Sequence, residues 1–295
     1  GNGTANINYS SPIQVGTLTS WKIAKSGSTN IYGKTDNQKT DLYGGLWGWG
    51  SNQYGELGDS VLSSAVISPK RLNTANNYAE ISNGNFFSHF IKTDGTLWSW
   101  GGNSYGRLGL GDTTNRSSPV QVGTLTNWNF VSSGYHYGMA TKTDGTLWAW
   151  GYNNLGLLGD GTQTNRSSPT QIGSLTTWKQ VSCSHSSSFT LAVKTDGTLW
   201  SWGNGQNGAL GNGFTTSYSS PIQIGTDTNW SSVSTGNQCS FALKTDGTLW
   251  VWGYNFQGQL GQNDTTNRSS PVQVGALTNW SQIDANYSHI AAIKV

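Results

Sequence analysis

Lys142-Thr-Asp-Gly-Thr-Leu-Trp-Ala-Trp-Gly151 is one of four near-identical stretches, the others being Lys92–Gly101, Lys194–Gly203 and Lys244–Gly253. A broken copy ends at Trp47-Gly48-Trp49-Gly50. The second Trp of each copy falls at Trp49, Trp100, Trp150, Trp202 and Trp252, a period of 50 to 52 residues. A period of that length, kept through the chain, means one supersecondary unit copied many times, each copy burying its apolar face against the next.

The residues around the quoted stretch say what the unit is. Pro119-Val-Gln-Val-Gly123 is a short extended run with a Pro at its start, where a strand tolerates one. Trp128-Asn-Phe-Val131 is a second apolar alternation, and Tyr137 to Thr141 a third. Asp144-Gly145 reads as a type I′ hairpin turn, with positive φ at both central residues. Thr146 to Trp150 is the fourth run, and Gly151 to Gly159 is too rich in Gly for a helix. Four strands of about five residues joined by tight turns make a propeller blade.

Counting gives the ring. The Ser-Pro-x-Gln-x-Gly strand occurs at Pro12, Pro119, Pro169, Pro221 and Pro271, and in degenerate form at Pro69. The aromatic of the next strand occurs at Trp21, Tyr78, Trp128, Trp178, Trp230 and Trp280. The Trp-Gly strand occurs five times. The expectation is an all-β, six-bladed β-propeller of four-stranded antiparallel blades over residues 1–295, with the last blade lacking one strand. Repeat one carries an insertion at residues 36–45, and repeat two replaces the usual connection with Lys70 to Tyr78.

Composition excludes several classes. Charged residues are 10% of the 295, against about 25% in ordinary soluble proteins. The net charge is +2 with no basic stripe, so no nucleic-acid partner is expected. No apolar run reaches the length of a membrane span, so no membrane insertion is expected. Fifteen Trp argue against disorder, and each of them falls on a repeat position, which reads as packing between blades. Cys183 and Cys239 share no ligand spacing and read as two buried free thiols, an inter-blade disulfide being the alternative. Asn-x-Ser/Thr sequons such as Asn115, Asn165 and Asn267 follow from loops rich in Asn, Ser and Thr. The four His fall in different repeats, and no acid, base and nucleophile recur together. No cofactor, metal site or enzymatic activity is therefore expected.

The stretches Trp49 to Gly58, Trp100 to Gly109, Trp150 to Gly159 and Trp252 to Gly261 carry the signature Trp-Gly-x-Asn-x-x-Gly-x-Leu-Gly. Trp202 to Gly211 departs from it at Gly205, and Ile283 to Ile293 echoes a second motif around His289. These motifs resemble the regulator of chromosome condensation repeat family, over essentially the whole chain. The resemblance implies a β-propeller. The best-known member is a seven-bladed nucleotide exchange factor for a small GTPase, bound to chromatin. Six blades, no basic tail and no wedge-like hairpin argue against carrying that activity over. The wording of the repeats is similar to bacterial and bacteriophage members, which implies an extracellular or virion-surface setting.

Function is then sought where the copies differ. Within the Trp-Gly loops the free positions carry Tyr54, Tyr105, Arg107, Tyr152, Tyr254 and Phe256. After the Val-Ser-x-Gly element they carry Asn85, Phe86, Tyr135, His136, His185, Asn237, Gln238, Asn286 and Tyr287. The framework does not need these identities, and loops on rigid scaffolds carry binding. The expectation is a non-enzymatic structural or adhesive propeller that binds a protein partner or a cell-surface glycan through its loops. A lectin and a GTPase exchange factor-like regulator are the alternatives. The edge near Ile290–Val295 is expected to be open to a second copy or a neighbouring virion subunit.

Overall fold

A computed structural model describes residues 21–26, 30–35, 45–73, 77–186, 189–286 and 289–295, with backbone alone for 21–24, 73, 286 and 289. The first blade is β1 (Trp21–Ser26), β2 (Asn30–Thr35), β3 (Gly45–Asn52) and β4 (Ser63–Asn73). The second is β5 (Tyr78–Asn83), β6 (Phe87–Lys92), β7 (Leu97–Gly101) and β8 (Arg116–Gln121). The third is β9 (Trp128–Ser133), β10 (Tyr137–Lys142), β11 (Leu147–Gly151) and β12 (Arg166–Gln171). The fourth is β13 (Trp178–Cys183), β14 (Phe189–Lys194), β15 (Leu199–Gly203) and β16 (Tyr218–Gln223). The fifth is β17 (Trp230–Thr235), β18 (Cys239–Lys244), β19 (Leu249–Gly253) and β20 (Arg268–Gln273). The sixth sheet pairs β21 (Trp280–Asn286) with β22 (His289–Lys294).

Every sheet is an antiparallel meander in chain order. The six innermost strands line one axial cavity of about 140 Å³, to which Lys25, Ser82, Ser132, Ser182, Ser234 and Asp284 each contribute. The protein is therefore a six-bladed propeller whose sixth sheet has two strands among the described residues. The Pro12 run and the insertion at 36–44 lie outside those residues.

Two sets of side chains join blade to blade. The first is the second Trp of each copy. Trp100, Trp150, Trp202 and Trp252 are each 0–1% exposed and lie between blades. Each Nε1–H donates to a backbone carbonyl of the preceding blade's loop: Glu56 at 2.7 Å, Arg107 at 3.0 Å, Leu157 at 3.0 Å and Ala209 at 2.9 Å. The second set sits at the hub. Ser82, Ser132, Ser182 and Ser234 accept, through Oγ, the N–H of Ser133, Cys183, Thr235 and Ala285 in the next blade, at 2.8–3.1 Å. A large buried ring and a satisfied hydrogen bond at each junction explain why both residue types recur with the period.

The repeated decapeptide is its own hairpin brace. Asp144 Oδ1 accepts the Thr146 N–H at 2.9 Å and its hydroxyl at 2.6 Å, and Thr146 Oγ1 accepts Trp148 Nε1–H at 2.9 Å. Lys142 Nζ lies 3.6 Å from the Trp148 ring centroid, a cation–π contact. The same set recurs at Asp94, Asp196 and Asp246. The turn differs from the type I′ reading. Gly145 has φ +77°, but Asp144 is not among the left-handed residues. Gly145 N–H returns to Lys142 O at 2.9 Å, and the loop spans three residues, Thr143 to Gly145. That is the hairpin in which a right-handed turn is followed by a left-handed Gly. The Asp side chain is spent on Thr146 and has no need of positive φ.

Three single 3₁₀ turns, Ser104–Gly106, Asn154–Gly156 and Gln206–Gly208, interrupt the Gly-rich loops. Cys183 and Cys239 are buried free thiols, as read from their spacing. Burial pushes both up to about 12. No helix among the described residues is long and apolar enough to cross a membrane.

Candidate functional site

Antiparallel strands return the chain to the same side every second turn. The Trp-Gly loops and the short links between the first and second strands of each blade therefore share one face of the wheel. The free positions meet there. Tyr54 of the first blade packs edge-on to Phe86 of the second, with centroids 5.4 Å apart. Tyr105 lies 4.7 Å from Tyr152 and 5.4 Å from His136, and Tyr135 lies 4.4 Å from His136.

Arg107 stands at the centre of this group. It is 3% exposed. Its Nε–H donates to Gly102 O at 2.8 Å, its Nη1 is 2.8 Å from His136 Nδ1, and the group lies 5.2 Å from the Phe87 centroid. Burial lowers its pKa to about 10, opposed by the fields of Glu56, Tyr54, Tyr135 and Tyr105. His136 is held at about 4 by burial first and the Arg107 charge second, so the ring is neutral at physiological pH. A neutral ring that accepts at Nδ1 carries its proton on Nε2.

The backbone marks two of these residues, Phe86 and Tyr105. All seven non-Gly residues with left-handed φ among those described lie in these links and loops: Ser60 (+65°), Phe86 (+66°), Tyr105 (+64°), Leu155 (+59°), Asn207 (+59°), Gln238 (+56°) and Asn263 (+60°). A left-handed φ costs a residue with a Cβ roughly 1–2 kcal/mol, and such strain concentrates where a protein binds. Sequence reasoning had no access to this signal at Leu155 and Asn207, which stand at variable positions without a charge or a Tyr.

Elsewhere on the face the candidates divide. Asn207 Nδ2 donates to Gln238 Oε1, joining the fourth and fifth blades through amides. Tyr254 and Phe256 stack within 19° of parallel at 6.3 Å, and Phe256 is 73% exposed. Asn85 is buried, and Asn237 is half-buried. His185 belongs to the axial cavity instead. Its Nδ1 is buried without a partner, and burial lowers it to about 4, partly opposed by Asp284. Asn286 is described by its backbone only, and Tyr287 lies outside the described residues. Among the described residues no three His, Cys, Asp or Glu converge on one point.

The loop sequons have a local role. Asn115, Asn165 and Asn267 accept, through Oδ1, the backbone N–H of Asn103, Asn153 and Asn255 at 2.8–2.9 Å. Those three Asn in turn cap the loop, accepting the N–H of Leu108, Leu158 and Leu260 at 2.9 Å. In the fourth blade Gly205 and Ser217 replace the pair together, joined at 3.3 Å. A Cβ at Gly205 would lie 2.1 Å from Thr216 O, so this loop runs closer to its own end.

The chain is similar to known propellers. The regulator of chromosome condensation (RCC1) repeat matches residues 94–141, 144–191, 196–243 and 246–293, and a second description of that repeat matches 79–107, 178–209 and 230–259. Among curated proteins, "Probable E3 ubiquitin-protein ligase HERC6" of Homo sapiens is 34% identical over 70 residues, 23% of this chain and 7% of that protein. "Ultraviolet-B receptor UVR8" of Arabidopsis thaliana is 32% identical over 76 residues, 25% of this chain and 17% of that protein. The matched segments thus span less than a fifth of either relative. Among solved structures, human WBSCR16 superposes with a TM-score of 0.80 at 22% identity, covering 93% of this chain and 72% of that one. Prp20p of Saccharomyces cerevisiae, solved in a study of its binding to Gsp1p and histones, superposes at 0.75 with 16% identity, covering 90% and 67%. Identities that low bear on the fold alone, whereas the repeat matches cover more than half of the chain. The chain belongs to the regulator of chromosome condensation (RCC1) repeat family.

Proposed function

We propose that this chain is a non-enzymatic interaction propeller that binds a protein partner through its loop face, over the first three blades. The observation that carries the reading is the convergence of Tyr54, Phe86, Tyr105, Arg107, His136 and Tyr152 at positions the framework leaves free, two of them held in left-handed backbone. A rigid wheel with aromatic rings and one Arg at the centre of a patch has the make-up of a binding hot spot. The similar propeller Prp20p, solved in a study of its binding to Gsp1p and histones, supports protein binding as a use of the scaffold. The likeness of the repeat wording to bacterial and bacteriophage members of the family supports a setting outside a cell or on a virion. A photoreactive residue in place of Tyr105 should form adducts with the partner in the native setting, and the same residue in place of Phe214, exposed on another loop, should not. Equal yields at both places would end the proposal.

Glycan binding is favoured by a different observation, the flat Tyr254–Phe256 pair, since a sugar ring stacks on an exposed aromatic face. A glycan array probed with the native chain and with Phe256→Ala tests it, and identical profiles would remove it. The edge of β22 supports a third contact, with a neighbouring subunit: Ile293 is 57% and Val295 87% exposed, where the equivalent Ile91, Val193 and Leu243 are 0–3% exposed. Ile293→Lys should lower the mass measured by light scattering if that edge joins copies of the chain.

A further inference from the structure

We propose that the Arg107 guanidinium on the loop face is a receptor for a single carboxylate, supplied by an acidic side chain of the partner. The inference rests on the protein-binding reading of the loop face and adds the chemistry of the anchor.

Arg107 occupies a place where the fold uses only the backbone. Its carbonyl takes the Trp150 indole N–H, as the carbonyls of Glu56, Leu157 and Ala209 take the indoles of the following blades. The side chain there is free to vary, and in the five loops it is Glu56, Arg107, Leu157, Ala209 and Gln259. Only the second blade places a cation.

That cation is buried without a counter-ion. No carboxylate lies within ion-pair distance of it among the described residues. Glu56, whose field reaches it, spends its oxygens on Ser51 Oγ at 2.8 Å and on the Tyr54 N–H at 2.7 Å. Nε and Nη1 have partners; Nη2 has no acceptor among the described residues and is not one of the sealed, unpartnered atoms, so it is open to an approaching group. Taking a guanidinium out of water is costly unless an anion and further hydrogen bonds compensate it. The open edge of the guanidinium is thus where an anion would add compensation.

Space has been kept for the charge. The residue after Trp-Gly is Ser51, Tyr152, Asn204 and Tyr254 in the other loops, and Gly102 here. Gly102 does not adopt a left-handed φ, so backbone freedom does not explain it. A Cβ there would stand 2.3 Å from Nη2. Glycine leaves the guanidinium its room.

The walls select the guest. The rings of Tyr105, Tyr135, His136 and Tyr152 are inclined to one another by 47° to 83°. Inclined rings offer no flat platform for a sugar. A carboxylate takes two N–H donors from Arg with favourable geometry.

The test uses the whole chain with 15N-labelled Arg. The probes are acetyl-Gly-Glu-Tyr-Glu-Gly-amide, its Gln counterpart, and a glucuronate disaccharide, each titrated while the Arg107 side-chain resonance is followed. The acidic peptide should shift that resonance and bind about tenfold tighter than the Gln peptide, a gap of about 1.4 kcal/mol. High salt and Gly102→Ala should close the gap, while Phe256→Ala should leave it intact. Arg107→Lys keeps the charge and serves if Gly102→Ala fails to fold. The carboxylate inference is overturned by equal affinity for the two peptides, by no shift of Arg107, or by tighter binding of the glucuronate. Equal peptide affinities that still depend on Tyr105 would leave the protein-binding reading standing. Absence of peptide binding, together with equal photo-adducts at 105 and 214, would remove both.

Discussion

Around Arg107 the rings meet at 47° to 83°, whereas at the fifth blade Tyr254 and Phe256 lie 19° from parallel. The first group closes round a buried charge; the second lies open, with Phe256 73% exposed. Yet the scaffold beneath them is the same. Trp150 and Trp252 are both fully buried and donate to the preceding loop at 3.0 and 2.9 Å. The difference teaches that the framework fixes where loops stand and leaves their chemistry to a few free positions.

The largest test is whether the scaffold is indeed equivalent under both regions. Trp150→Ala and Trp252→Ala should each cost about 3–5 kcal/mol in urea unfolding. Costs that differ widely would break the comparison at its base.

Acid should separate the two regions next. Burial holds His89, beneath the charged region, at about 3 in the fold, below its ordinary 6.5. The unfolded chain therefore binds the proton first. Stability is complete above pH 6.5 and falls as pH drops toward 3. At about pH 5 the loss is about 2 kcal/mol. His136, lowered to about 4 by burial and Arg107, adds in the same direction. Urea melts of the native chain and of His89→Leu at both pH values check this, Leu191 being the fourth blade's residue at that place. An acid loss unchanged in His89→Leu would exclude His89 as its source.

Backbone strain at Tyr105 is the next point of contrast. Tyr105→Gly and Tyr105→Ala lose the same ring contacts, but only Gly is at ease at φ +64°. The Gly variant should be the more stable by about 1 kcal/mol. Equal melting temperatures would show that no strain is held there. The smallest effect is expected at the open region: Phe256→Ala should move stability by less than about 0.5 kcal/mol, since an exposed ring holds little together.

Much of the wheel could be read from the sequence. Trp148 and Trp150 recur because one braces its own hairpin and the other locks onto the preceding blade, and both roles leave the residue invariant from copy to copy. The strand limits at Trp128, Tyr137 and Leu147 fall within a residue or two of the sequence reading. The turn at Asp144 did not, because a Gly in left-handed φ serves two hairpins of different length, and composition does not tell them apart. The site was half legible. Variation between copies picked out Arg107 and His136 separately. Their contact at 2.8 Å joins different blades 29 residues apart, and no local pattern announces it. Gly102 was invisible for the opposite reason: in a chain with 40 Gly, one whose purpose is to give room to a neighbour looks like any other.

The hub clasp from Ser132 Oγ to the Cys183 N–H is made of halves from two successive copies, and so are its counterparts at Ser82, Ser182 and Ser234. A gene duplication that inserts one complete period carries an acceptor for the copy after it and a donor for the copy before. Unequal crossing-over between such copies can lengthen or shorten the array without inventing a new junction. The hydroxyl at the axle thus makes the number of spokes an evolvable quantity.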